Sequence, residues 1–298
     1  MVKAFAKILI AAAAAIQPAV AGAQSLTVHV RNGEPVTLQT EQVASITFTD
    51  DISDDTVAPK VGDYYYDDGT WSSEIDYTRN VIGVVFYTGD PTAEDPILKA
   101  DHPGCTHGLV VSAFAPRSAC MWQNNYVESG ASVGKWIESD LPGYTSTDSR
   151  YGVDDIRNHI LGYNNTKAIR AYNAEHIAYT VIPVEQLDYF GTQHPAPAGT
   201  SGWYLPSIKE LFILVNGVPD NAEILDATKT LANRSAIDNS LGYIIGSDLL
   251  HDTQWAYNLW SSTEFGANVY TVCTFDGNVE GIYKDKDKNT MPRFVLAF

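Results

Sequence analysis

Apolar and polar positions alternate with a period of two at both ends of the chain, and this pattern predicts strands. Leu26, Val28 and Val30 alternate with polar residues, Asn32-Gly33 follows, and Val36 and Leu38 resume the alternation. That order predicts a β-hairpin closed by a tight turn. Ile46 and Phe48 continue the pattern until the acidic stretch Asp50, Asp51, Asp54 and Asp55, which is too polar to pack. Residues 51–60 therefore read as a linker after a β-rich leader at 24–50. The next strands are predicted at Tyr64-Tyr65-Tyr66, with a turn at Asp68-Gly69 before Trp71, then over Val81 to Tyr87 and Gly108 to Ala113. Near the C-terminus, Val269 to Phe275, the turn Asp276-Gly277-Asn278 and Phe294 to Phe298 return to strand character.

Helical signals lie between these runs. Asn165-Thr166 is placed to cap a helix carrying Ile169 and Tyr172, and Ser207 with Glu210 spells a capping box before Leu211 to Val215, closed by Gly217. A third helix is predicted from Asp220, with Ile224, Leu225 and Leu231 on one face. Strands, then helices, then strands point to an α+β fold rather than a wound parallel sheet.

At the N-terminus, Lys3 and Lys7 precede an apolar run from Ile8 to Ile16, and Ala21-Gly22-Ala23 has the small-x-small form of a cleavage site. Residues 1–23 read as a secretory signal peptide, since the run is shorter than the roughly 20 residues of a membrane span. The expected location is exported: cell surface, secreted or periplasmic. No cysteine follows the cleavage site to carry a lipid. The formal charge of −17, or −19 without Lys3 and Lys7, opposes nucleic acid and anionic lipid. At 45% hydrophobic and 11% aromatic content the chain is too apolar for a disordered protein. Three cysteines are too few for a disulfide-built fold; Cys105 and Cys120 are available to pair, which leaves Cys273 free.

Few motifs suggest chemistry. Gly130-Ala131-Ser132-Val133-Gly134 spells a nucleophile elbow, but the preceding Tyr126-Val127-Glu128-Ser129 is too polar for a buried strand, and a flexible glycine-containing loop is the better reading. His102, Cys105 and His107 have zinc-ligand types without an evident fourth ligand. Asp285-x-Asp287-x-Asn289 alternates oxygens as calcium loops do, but Lys284, Lys286 and Lys288 oppose a cation, so the stretch reads as a solvated turn of mixed charge. Neither a metal nor a cofactor is expected, and no acid/base pair can be chosen among so many carboxylates. His159, His176, His194 and His251 read as ordinary surface or core residues. The 17 Tyr and 6 Trp, with Asn, Ser, Thr, Gly and Asp crowded into the C-terminal loops, have the make-up of a recognition surface.

Three blocks, Gly202-Trp203-Tyr204-Leu205-Pro206-Ser207-Ile208-Lys209-Glu210-Leu211, Trp260-Ser261-Ser262-Thr263-Glu264 and Arg293 to Phe298, resemble in order and spacing the bacterial C-type-lectin-like domains. Such domains occur at the C-terminus of a collagen-like surface adhesin and in many exported gut-bacterial proteins. Val61 to Ser72 and Gly162-Tyr163-Asn164-Asn165-Thr166 resemble the same family, so the likeness covers 61–298. It implies a mixed fold whose first and last strands lie side by side, with a C-terminal stretch, here 263–289, that displays ligand-contacting residues. Carried over in this way, the ligand-binding candidates are Phe265, Asn268, Tyr270, Asn278, Glu280, Tyr283, Asp285, Asp287 and Asn289. Met291-Pro292-Arg293 replaces the family's valine-arginine-proline, which implies a shifted entry of the last strand. The Glu-Pro-Asn and Trp-Asn-Asp triplets of calcium-dependent lectins are missing, so calcium-mediated sugar binding is not implied. The formylglycine-generating enzyme shares the fold but needs reactive cysteines; with Cys273 alone in the C-terminal region, that activity is not carried over.

The expected function is thus a non-enzymatic, adhesin-like surface protein binding a glycan or protein, host-derived or not, without a membrane span. The alternative is a structural or tip subunit of a pilus or fimbria with pilus partners, using 24–50 as its assembly element. An extracytoplasmic hydrolase built on Ser132, or on a metal at His102, Cys105 and His107, comes third.

Overall fold

In the computed structural model the residues described are 25–28, 36–39, 58–116, 118–126, 132–151, 155–218, 223–224, 229–251, 258–280 and 285–298. The chain divides into two units, 1–52 and 53–298. In the first, β1 (Ser25–Val28) pairs antiparallel with β2 (Val36–Gln39), placing Leu26 opposite Leu38 and Val28 opposite Val36, in line with the hairpin expected from the alternation. Residues 1–23, where a signal peptide is expected, the Asn32-Gly33 turn, Ile46, Phe48 and residues 51–57 lie outside the described residues.

The second unit is built on β3 (Tyr64–Tyr66), β4 (Trp71–Ser72), β5 (Val81–Thr88), β6 (Gly108–Ser112), β7 (Asn258–Phe265), β8 (Asn268–Cys273), β9 (Val279–Glu280), β10 (Met291–Pro292) and β11 (Val295–Ala297). Its helices are α1 (Pro96–Asp101), α2 (Val133–Asp140), α3 (Gly162–Glu175), α4 (Ile182–Gln193), α5 (Ile208–Asn216) and α6 (Ala232–Leu241). One antiparallel sheet has the order β11-β6-β5-β3-β4, and a second has the order β10-β7-β8-β9 with β10 parallel to β7. The mixed α+β architecture expected from the sequence is present.

The first sheet is buried on both faces, which explains why Val81 to Phe86 reads as a continuous apolar run. Successive side chains of a strand point to opposite faces. Tyr64, Tyr66, Val84, Phe86, Leu109, Val111, Val295 and Ala297 join one core with α5 and α6. Tyr65, Ile82, Val85, Val110, Leu296 and Phe298 join a second core with α2, α3 and α4. Every residue of α5 is buried, and its start is held by the expected box: Ser207 Oγ accepts from Glu210 N–H while Glu210 accepts from Ser207 N–H. Gly217 closes it at a φ of +90°.

Several expectations need correction. The last strand pairs with β6, so β5 and β6 separate it from β3 and the first and last strands are not side by side. Helix α3 starts at Gly162, and Asn165 is inside it, where its amide donates to Ser262 Oγ at 3.0 Å instead of capping. The helix placed from Asp220 starts at Ala232, after Leu231 at a φ of +54°. Asp220 and Leu225 lie outside the described residues. The glycine-containing loop at 130–134 is in part helix α2, with Ser132 as its N-cap. The three cysteines are buried and free, so Cys105 and Cys120 do not pair. Burial pushes their thiols up, to about 11 for Cys105 and about 12 for Cys120, which keeps them protonated.

The three blocks that carry the resemblance meet in space. Tyr204 and Val295 exchange backbone hydrogen bonds of 2.8 and 3.1 Å, and Ser262 N–H donates to Pro206 C=O at 2.8 Å. Ile208 N–H donates to Thr263 Oγ1 at 3.1 Å. Arg293 is buried, with its Nη2 on the carbonyls of Ser112 at 2.7 Å and Asp248 at 2.8 Å.

Candidate functional site

The hairpin β7–β8 carries three of the sequence-derived candidates, Phe265, Asn268 and Tyr270, and a bulge sets its shape. Trp260 pairs with Thr271 and Glu264 with Val269, so Ser261, Ser262 and Thr263 stand opposite Tyr270 alone. The three bulged residues turn their hydroxyls to carbonyls and amides of the frame: Ser261 Oγ donates to Tyr270 C=O at 2.6 Å and Ser262 Oγ to Pro206 C=O at 3.1 Å. The hairpin is thereby tied to α3 and α5, and at its tip Phe265 and Ala267 are exposed. Phe265 and Asn268 are register partners, so their side chains share one face. Gly266 turns the tip at a φ of +63°.

The structure separates the candidate residues. Phe265 is 37% exposed, Asn268 and Asp287 are half-buried, and Asp285 and Asn289 are exposed. A bridge between Asn268 and Asp285 brings the 285–289 turn beside the hairpin tip, so these five share one region. Tyr270 does not belong to the exposed set. It is 8% exposed, because opposite the bulge its ring packs into the first core, with its hydroxyl 3.5 Å from Ser149 Oγ. Asn278 lies at the other end of β8, about 17 Å away by strand rise, where it contacts Lys229. Tyr283 and the side chain of Glu280 lie outside the described residues.

Beneath the tip sits a charged cluster that the sequence did not reveal. Lys286, expected in a solvated turn, is fully buried and contacts Glu264 Oε1, itself fully buried. Its ammonium lies 4.9 Å from the Trp122 ring centroid and 5.1 Å from that of Tyr126. The Glu264 carboxylate also accepts from Val133 N–H at 3.1 Å, Gly134 N–H at 2.7 Å and Thr147 Oγ1 at 2.5 Å, so it neutralises the start of α2. Asp148, equally buried, accepts from Ser132 Oγ at 2.6 Å, from Arg150 through Nε at 3.0 Å and Nη2 at 2.8 Å, and from Gly266 N–H at 3.2 Å. Burial works to raise the Asp148 pKa, and the Arg150 and Ser132 hydrogen bonds overcome it and hold the carboxyl below the usual range. Burial raises the Tyr126 phenol, helped by the nearby carboxylates of Glu264, Asp285 and Asp287.

Arg150 and Tyr151 complete the surface, with the guanidinium 5.3 Å from the Tyr151 ring and 5.9 Å from the Phe265 ring. Neither was found by sequence reasoning, since a polar loop reading Thr145-Ser-Thr-Asp-Ser-Arg-Tyr151 has no periodicity to place it. Lys286 was hidden by the charge alternation around it.

The chemical alternatives do not assemble. Ser132 Oγ donates to Asp148 and accepts from Lys135 N–H at 3.2 Å, which makes it a helix cap rather than an activated nucleophile. His102 Nε2 is 3.0 Å from Tyr163 Oη, Cys105 Sγ donates to Gly199 C=O at 3.5 Å, and His107 stacks on Phe298, so the three do not converge on one ion. Asp287 pairs with Lys288 at 3.4 Å. Among the described residues no helix is long and apolar enough to cross a membrane.

No protein-family model matches the chain. It is 29% identical over 240 residues to Fim1C of Bacteroides ovatus, a candidate fimbrium tip subunit by its name, with 72% of this chain and 40% of that protein covered. The crystal structure of a fimbrial protein from the same species superposes with a TM-score of 0.64 at 25% identity, covering 80% of this chain and 49% of the other. The chain thus spans less than half the length of each, and what it is similar to is part of a bacterial fimbrial protein.

Proposed function

We propose that this chain is a subunit of a bacterial surface fimbria, exported through residues 1–23, and that it works by assembly and recognition rather than catalysis. The observation that carries this reading is the agreement of the two comparisons, one by sequence and one by structure, on fimbrial proteins over most of this chain. A position at the filament tip follows the relative's name and belongs to the same proposal. So does the C-type-lectin-like frame, supported by the meeting of the three resembling blocks. Display of the Phe265 face toward solvent would suit a tip subunit that binds a partner, with the pair β1–β2 as the element available for assembly.

Immunogold labelling of sheared fimbriae from cells carrying an epitope-tagged copy tests the assignment. Label on filaments, concentrated at their ends, is the expected result. Tagged protein that is exported yet absent from every filament would overturn it. N-terminal sequencing of the purified protein should begin at Gln24; a mature chain still starting at Met1 would remove the export signal.

A further inference from the structure

We propose that Arg150 is the polar anchor of a saccharide subsite on the hairpin tip, and that the sugar bound there carries a carboxylate. This rests on the reading of the Phe265 face as a recognition surface and goes further by naming its ligand chemistry.

The guanidinium is held as a built group would be. One edge, Nε and Nη2, is engaged by Asp148, a carboxylate with no exposure that Ser132 and Gly266 N–H also hold. The side chain is nevertheless 43% exposed, and its Nη1 has no acceptor among the described residues. An arginine uses five N–H donors, and a partner that fixes one edge leaves the outer donors oriented and unsatisfied. The hairpin leaves it room: a Cβ added at Gly266 would lie 2.7 Å from Arg150 Cζ and push the guanidinium aside, and the φ of +63° favours glycine there. Phe265 is steadied at 67° against Tyr270, 6.2 Å away, and keeps part of its ring open beside the guanidinium.

These features select a ligand class. A donor-only fork calls for acceptors, and two coplanar carboxylate oxygens match its geometry. The Phe265 and Tyr151 rings beside it offer apolar surface for the C–H face of a sugar ring. Asp285 and Asp287 act on Tyr126 from the same region as Arg150, so a doubly charged phosphate meets about twice the repulsion of a singly charged carboxylate. A monocarboxylate sugar therefore fits better than a phosphorylated one.

The test uses multivalent conjugates of galacturonate, glucuronate and sialate, each beside its methyl ester, on the purified full chain. At least one acid conjugate should bind, its ester about tenfold less well, and Arg150→Lys, which keeps the charge but loses the fork, should weaken binding by about tenfold. Phe265→Ala, at an exposed side chain with no part in the buried Glu264–Lys286 pair, should weaken it comparably and serves as the second variant if Arg150→Lys lowers stability. Failure of all three acids to bind, equal binding of acid and ester, or unchanged binding by both variants would overturn the proposal. Labelling of filaments is read separately, so a chain found on fimbriae that ignores every conjugate loses this inference and keeps the fimbrial one.

Discussion

Lys286 meets Glu264 in the interior with neither side chain open to water, although Lys286 stands between Asp285 and Asp287 in sequence. Burying two ions costs several kcal/mol each, and here the cost is offset by the N–H groups of Val133 and Gly134, the Thr147 hydroxyl and two aromatic faces. Loss of one partner leaves the other charge uncompensated. Glu264→Gln or Lys286→Met should each lower stability by about 3–5 kcal/mol, with the double variant losing less than the sum. Urea unfolding of the four proteins in the cycle measures this; additive losses would show that the pair does not interact.

A second buried acid sets a pH dependence. Burial raises the Glu210 carboxyl to about 7, even though Ser207 N–H at 2.6 Å and Tyr204 Oη at 2.7 Å donate to it. Unfolded, it titrates near the ordinary 4.5. Between those values the folded chain binds a proton that the unfolded chain has lost, so stability falls as pH rises through that window and levels off above it. A shift of this size corresponds to about 3 kcal/mol. Urea midpoints taken at about pH 5 and about pH 8 should differ more for the wild type than for Glu210→Gln, whose amide does not titrate. Parallel pH profiles for the two proteins would refute the assignment.

What was legible in the sequence follows from the range of the forces involved. Strands β3, β5, β6 and β8 announce themselves because each has a local run of apolar residues bounded by turns, and α5 because Ser207, Glu210 and Gly217 are all local signals. Asn165 misled because a residue type favoured at helix caps was here recruited by Ser262, a partner 97 residues away. Helix α2 was missed because its stabilising acceptor, Glu264, lies 130 residues along the chain from Gly134. The candidate face was legible in part: Phe265, Asn268, Asp285, Asp287 and Asn289 gather near the tip, whereas Tyr270 turns inward opposite a bulge that no periodicity encodes. Arg150 owes its place to Asp148, which is buried only once the hairpin and α2 have closed over it.

Ser132 offers a direct separation of cap from nucleophile. Its hydroxyl bridges Asp148 and the Lys135 N–H, so Ser132→Ala should cost about 1–2 kcal/mol through the lost helix cap and the weakened hold on Asp148. Thermal unfolding should register the loss, and a serine-directed phosphonate should leave the mass of the wild-type protein unchanged. A covalent adduct at Ser132 would instead restore the hydrolase reading.

Two helical glycines should respond to alanine with opposite signs. Gly191 lies within α4, and an added Cβ there meets nothing within 4 Å. Helix propensity then decides, and Gly191→Ala should stabilise the chain by about 0.5–1 kcal/mol. Gly162 opens α3 against the capping box of α5, where an added Cβ would lie 2.2 Å from Glu210 Oε2, 2.7 Å from Tyr204 Cε2 and 2.9 Å from Ser207 N. None of these atoms is the end of a free side chain: Glu210 and Tyr204 are buried and bonded to each other, and Ser207 N is backbone. Overpacking costs about 1–3 kcal/mol and displacing the box adds about 1 kcal/mol, which exceeds the propensity gain. Gly162→Ala should therefore lower the melting temperature by several degrees while Gly191→Ala raises it by about 2–4 °C. The same sign for both substitutions in a thermal melt would mean that α3 and α5 are not packed through this contact.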